Sequence, residues 1–182
     1  MTPKLLILDI DETLIYATEE SLSRSADFTV GNKYYVYRRP FVEQFLVWCV
    51  ENFELAVWTS ATDDYAAEIV ANIFPHSQNN LLFLWSRKRC TPSFDWETQE
   101  TIWEKKLTKL RRRGYNLENI IVVDDTPQMW RSSYGNLVRV KPYLGEIEDD
   151  ELKKLMQYLN VLKNAENIRK VEKRNWKNRL QQ

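Results

Sequence analysis

Asp9, Asp11 and Thr13 stand at every second position along the stretch KLLILDIDETL, which runs from Lys4 to Leu14. Leu5 to Leu8 before them form a continuous apolar run, the pattern of a strand covered on both faces inside a parallel α/β sheet. Carboxylates that follow such a strand emerge at its carboxyl end, where open α/β sheets place their ligand crevices. Two chemistries suit them. In one, Asp11 or Thr13 caps a solvated turn. In the other, the carboxylates hold a magnesium ion, which prefers oxygen ligands, and one of them attacks phosphorus to form an aspartyl-phosphate. This stretch alone is compatible with both.

Two further strands end in the same way. Phe53 to Trp58 reads as a buried strand and stops at Thr59 and Ser60, whose hydroxyls can cap the helix expected over Asp63 to Phe74 or donate to a phosphate. Asn119 to Val123 is a third apolar strand and is followed at once by Asp124 and Asp125. Strand ends of one parallel sheet converge, so these side chains are expected at one rim, with Lys105 or Lys106 reaching it from a helix expected over Trp96 to Arg113. Carboxylates, hydroxyls, a lysine and a divalent cation are what phosphoryl transfer requires, because its transition state spreads negative charge over three oxygens.

The remaining elements must position that rim. Phe28 to Tyr37 reads as a β-hairpin around Gly31-Asn32, with one side lying on the body. Pro40 opens a helix through Asn52, Leu81 to Trp85 and Leu137 to Val140 are strands, and Glu148 to Leu162 is a helix with Leu152, Leu155, Met156 and Leu159 inward. At 182 residues the expectation is one domain over 1–162, followed by a basic amphipathic helix over 163–182 that packs on it with a frayed end.

Charge and composition narrow the function. Lysine plus arginine and aspartate plus glutamate both number 26, so no stable nucleic-acid binding is expected. The balance is global but not local: residues 163–182 hold seven cations and two acids, and the rest of the chain offsets the excess. No apolar run is long enough to span a bilayer and no signal peptide is read, so a soluble, intracellular protein with no membrane association is expected. Cys49 and Cys90 are too few for a disulfide framework, and neither has an arginine six positions later to cradle phosphate for a cysteine nucleophile. With His76 the lone histidine, phosphate chemistry here must rest on aspartates.

Asp9-Ile10-Asp11-Glu12-Thr13-Leu14 resembles the DxDxT signature of the haloacid dehalogenase superfamily and, more narrowly, of its RNA polymerase II carboxy-terminal-domain phosphatase branch, the NLI-interacting-factor-like group. Other segments carry the narrower resemblance: Arg39-Pro40-Phe41 through Phe45-Leu46, VWTSA at Val57 to Ala61, Arg87 to Cys90, Lys105 to Leu107, and VVDDTP at Val122 to Pro127. The likeness covers about residues 4–160. It implies an α/β, Rossmann-like fold in which helices flank a central parallel sheet, with a small β-hairpin insertion and no large cap domain. It implies Asp9 as nucleophile and Mg2+ ligand, and Asp11 as general acid-base that lends its carbonyl to the metal. Thr59 and Lys105 would bind phosphate, with Ser60 and Thr13 beside them, and Asp124 or Asp125 would complete the metal shell. The partner implied is a phosphoprotein carrying phosphoserine or phosphothreonine. A small-molecule or nucleic-acid phosphomonoester is the alternative substrate, and a non-catalytic adaptor is the alternative role, against which the pair Asp9 and Asp11 argues.

Overall fold

The computed structural model describes residues 3–74, 81–96 and 99–180. His76 and part of the stretch expected to be helical, residues 97–98, lie outside them. The chain runs β1 (Leu5–Leu8), β2 (Ile15–Thr18), β3 (Phe28–Val30), β4 (Tyr34–Arg38), α1 (Val42–Asn52), β5 (Glu54–Trp58), α2 (Asp63–Ile73) and β6 (Leu81–Trp85). It continues with β7 (Thr91–Asp95), β8 (Glu100–Glu104), α3 (Thr108–Arg111), β9 (Ile120–Asp124), β10 (Leu137–Arg139) and α4 (Glu151–Leu162).

Five strands form one parallel sheet in the order β10-β9-β1-β5-β6. The chain enters at β1 in the middle, winds outward through β5 to one edge, then returns to β9 on the other side. The order therefore reverses between β1 and β9, and a crevice opens at the carboxyl ends of such a pair. Side chains alternate across the sheet. Leu6, Leu8, Val57 and Val123 face a core built with Phe45, Ile69, Leu155 and Leu159 from the long helices. Leu5, Ile7, Trp58 and Val122 face a second core with Leu107, Leu110 and Trp130. Complete burial of each such side chain contributes roughly 1.5–3 kcal/mol, so strands that are apolar at every position belong in the middle of the sheet.

Three expectations are corrected. The stretch Trp96 to Arg113 is not a helix: Glu100 to Glu104 pairs antiparallel with Thr91 to Asp95 as β8 against β7, and only Thr108 to Arg111 makes a helical turn. The spacing of Ile102, Trp103, Leu107 and Leu110 fits a helix, but Ile102 and Trp103 are β-branched and aromatic residues with cross-strand partners at Ser93 and Pro92. The hairpin of Phe28 to Tyr37 is real but carries a third strand, β2, which pairs with β4 to give the order β2-β4-β3. Tyr37 is buried because residues 22–24 fold over that ribbon: Leu22 donates to the Tyr37 hydroxyl, which donates to the Arg24 carbonyl.

The tail is the third correction. In place of one amphipathic helix it forms two 3-10 turns, Ile168–Lys170 and Trp176–Leu180, joined by a bend and a turn. The Asn167 side chain accepts from the Arg169 amide, and Asn175 sits at φ 52, so both asparagines favour turns over helix. The tail still packs on the body. Ile168 and Trp176 are buried in the same core as α4, and the Trp176 indole donates to the Arg139 carbonyl of β10 at 2.8 Å.

Candidate active site

The two strands beside the switch point deliver the acids. Asp9 leaves β1 with its amide bonded to the Val123 carbonyl of β9 at 3.0 Å, so the carboxyl ends of β1 and β9 are tied together. The chain then turns back tightly: Leu14 donates to the Ile10 carbonyl at 2.8 Å, and Glu12 takes a left-handed φ of 57. Arg39, fully buried, fixes this turn from below. Its guanidinium pairs with Asp149 at 2.8 and 2.9 Å and donates to the carbonyls of Thr13 at 3.0 Å and Lys141 at 2.9 Å.

Lys105 lies just beyond β8, where the Met129 carbonyl receives its amide at 2.7 Å. Its side chain is buried, and its Nζ sits 2.5 Å from Asp9 Oδ1 and 2.6 Å from Asp124 Oδ2. Lys106 instead pairs with Glu104 at 3.3 Å, turned away from this cluster. Asp124 is also held by the Trp130 indole on Oδ2 at 2.7 Å and the Thr126 amide on Oδ1 at 2.8 Å. Asp125 accepts from the Thr13 hydroxyl at 3.3 Å and the Thr126 hydroxyl at 3.0 Å. Asp11 accepts from the Tyr65 hydroxyl of α2 at 2.6 Å. Neither Asp11 nor Thr13 caps a helix.

Thr59 closes β5. It is buried, and its hydroxyl accepts from the Ala61 amide at 3.0 Å; the residue at the N-cap of α2 is Thr62, whose side chain makes no capping bond. Ser60 is partly exposed next to it, and its carbonyl receives Arg87.

Electrostatically the cluster holds too much negative charge for its one lysine. Burial pushes the carboxyls of Asp9, Asp11 and Asp125 up, and the neighbouring Asp124 adds to the effect on Asp9 and Asp125. At Asp11 the Tyr65 hydroxyl opposes that rise. Burial would depress Lys105, but Asp124 and Asp9 outweigh it and hold the ammonium above its ordinary range. A divalent cation relieves such an excess, and the donors suit one: oxygens of Asp9, Asp124 and Asp125 lie within 4.8 Å of one another. Asp11 is outside that carboxylate group among the described residues.

Of the expected residues, Lys105 bonds Asp9 to Asp124, Thr13 bonds Asp125, which follows Asp124 in the chain, and Asp11 joins through the turn it shares with Asp9, while Thr59 bonds Ala61 and Ser60 bonds Arg87. Tyr65, Trp130 and Arg39 were not singled out for roles by sequence. Tyr65 and Trp130 sit within ordinary apolar spacing, while Arg39 carries a signal only as part of the Arg39-Pro40-Phe41 segment.

Residues 4–169 match the family model described as NLI interacting factor-like phosphatase. The chain is 27% identical to the CTD nuclear envelope phosphatase 1 homolog of Drosophila melanogaster, over 94% of this chain and 72% of that protein. It is likewise 27% identical to CTD small phosphatase-like protein 2 of Dictyostelium discoideum, over 92% of this chain but 29% of that one. Among solved structures it resembles fission yeast RNA polymerase II CTD phosphatase Fcp1-R271A bound to beryllium fluoride, with a TM-score of 0.61 at 20% identity, which speaks to the fold alone. That alignment covers 88% of this chain and 50% of the Fcp1 chain, so this chain spans about half of Fcp1's length. Among the described residues no helix is long and apolar enough to cross a membrane.

Proposed function

The chain belongs to the NLI interacting factor-like phosphatases, and on that premise we propose that it is a Mg2+-dependent phosphatase of phosphoserine or phosphothreonine in proteins, working through an aspartyl-phosphate on Asp9. The observation that carries this is the buried ammonium of Lys105 held between Asp9 and Asp124, with Asp125 next along the chain. Lys105 fixes one oxygen of Asp9, which keeps the carboxylate oriented, and offers positive charge where the phosphoryl oxygens arrive.

The chemistry divides into two displacements. A carboxylate oxygen of Asp9 forms a bond to phosphorus as the bond from phosphorus to the serine or threonine oxygen breaks, and Asp11 gives its proton to the departing oxygen. Water then attacks the phosphorus of the acyl phosphate, Asp11 takes the proton back, and Asp9 is regenerated with release of phosphate. Burial of Asp11, which favours its protonated form, suits the first task, and the Tyr65 bond, which favours its charged form, suits the second. The Thr59 and Ser60 hydroxyls are the donors for phosphate at the neighbouring strand end, with Thr13 beside Asp125.

Asp9, Asp125 and the backbone carbonyl of Asp11 would hold the Mg2+. It would supply charge to offset the phosphoryl oxygens. Asp124, with both oxygens committed to Lys105, Trp130 and Thr126, acts in this reading chiefly to position Lys105. The elements inserted between the sheet strands are a three-stranded ribbon and a hairpin, with no large cap to enclose a small metabolite, which favours a phosphate displayed on a protein.

Turnover of para-nitrophenyl phosphate, phosphopeptides, nucleotides and phosphosugars tests the reading. Chelation with EDTA and Asp9→Asn each abolish activity, Asp11→Asn lowers it by roughly 10²–10⁴, and phosphopeptides give the highest kcat/KM. Full activity of Asp9→Asn, or a clear preference for nucleotides or sugars, overturns it.

A further inference from the structure

The basic tail plays no part in the catalytic scheme, yet it forms one wall of a wide groove. A groove of about 850 Å³ runs between the carboxyl end of β10 and the tail. Seven cationic side chains line it against one carboxylate, Glu172. In a chain whose total charges cancel, that is a strong local field.

Part of this charge is neutralised within the fold: Arg174 pairs with Glu172 at 2.7 Å, Lys141 with Glu146 at 3.2 Å, and Lys177 with Glu151. Arg139, Arg169 and Lys170 are exposed and make no ion pair with a carboxylate among the described residues. Lys173 is different again. It is buried in the groove wall, and its ammonium rests on the carbonyls of Ile168 and Val171, each at 2.6 Å, with no bonded counter-charge. Burial pulls it down to about 8, against the opposing pull of Glu172.

Position ties the groove to the catalytic rim. Arg139 is the last residue of β10, the strand next to β9, and its Nε lies 3.4 Å from the carbonyl of Asp125. The groove therefore begins at the residue bonded to the backbone of a proposed metal ligand, at the same end of the sheet as Asp9.

The geometry points to this groove as the binding site for an acidic or further phosphorylated segment of the substrate polypeptide, flanking the phosphoresidue held at Asp9. The inference rests on the protein-phosphatase reading. An extended chain fits a concave channel lined by arginine and lysine, which bind carboxylates and phosphates through charge-assisted hydrogen bonds. A lipid surface would need a flat or convex face, and single-stranded nucleic acid needs successive stacking platforms. Of the aromatic residues here, Trp176 is buried and Tyr134 alone is half-exposed.

The test compares two phosphoserine peptides that differ only in their flanks, one neutral and one with four glutamates on each side, in wild type and in the double variant Arg169→Glu, Lys170→Glu. In wild type at low salt the acidic peptide is favoured about tenfold in kcat/KM, mainly through KM, and the ratio falls toward one in the variant and at high salt. A wild-type ratio near one, or a ratio unchanged in a variant that melts like wild type, overturns the inference. Fluorescence anisotropy of the labelled acidic peptide decides the matter separately from turnover. If neither peptide is hydrolysed but the labelled peptide binds wild type and not the variant, the groove stands and the phosphatase reading fails. Equal binding to both proteins, or tighter binding of phosphatidylserine vesicles or poly(U) than of the peptide, overturns the inference.

Discussion

Replacing Lys105 by methionine keeps most of the volume of a fully buried side chain and removes the one cation bonded to Asp9 and Asp124 among the described residues. Taking away one partner of a buried ion pair costs about 3–5 kcal/mol, because the other is left charged and unpaired. A chain of this size loses about 2–4 °C of Tm per kcal/mol, so the variant is expected to melt roughly 6–20 °C lower near neutral pH. The pH dependence has a definite sign. Burial and Asp124 already raise Asp9 in the folded protein, and Lys105 opposes them, so without the lysine the carboxyl rises further. A group raised on folding stabilises the fold while it is protonated, and that contribution is lost as pH climbs through the folded value. The deficit of Lys105→Met is therefore smallest near about pH 5 and grows toward about pH 8. Thermal unfolding by circular dichroism in EDTA, across that range, reads it directly. Activity toward para-nitrophenyl phosphate falls in parallel by about 10²–10³, the usual effect of losing one donor to a phosphoryl or oxyanion group. A Tm within about 2 °C of wild type at pH 8, or a deficit that widens on acidification, refutes the reasoning.

The two consecutive acids of β9 are expected to separate. Asp125→Asn keeps an oxygen for the metal but loses charge, so it raises the Mg2+ needed for half-maximal turnover about tenfold or more while Tm changes little; Asp124→Asn strips Lys105 of one of its two counter-charges and chiefly lowers Tm, and a metal titration with paired melts distinguishes them. Arg39→Met leaves Asp149 buried without its partner and frees the Thr13 carbonyl, so stability drops by about 3–5 kcal/mol in urea unfolding. Tyr65→Phe removes the 2.6 Å bond that favours ionised Asp11; kcat falls about tenfold and its alkaline limb moves to higher pH, as a pH profile would record.

The sheet was legible because Leu5 to Leu8, Leu55 to Trp58 and Ile120 to Val123 are unbroken apolar runs, as suits strands covered on both faces. The site followed from it, since the acids stand immediately after those strands. Lys105 was identified but assigned to the wrong element: one set of apolar spacings serves either a helix or a strand followed by a turn, and cross-strand pairing with Thr91 to Asp95 decides for the latter. β2 is four residues long and finds its partner only after the ribbon closes. Tyr65, Trp130 and Arg39 acquire their roles from partners 54, 6 and 110 residues away, chosen by tertiary packing that no local pattern encodes.

The indole of Trp176 spends its hydrogen on the outermost strand of the sheet. Unpaired main-chain groups at such a rim invite a second molecule to add its own strand. A proteolytic nick after α4 would thus do more than unload the core of Ile168 and Trp176: it would uncover a sticky border and leave the remaining domain prone to self-association, visible as concentration-dependent light scattering.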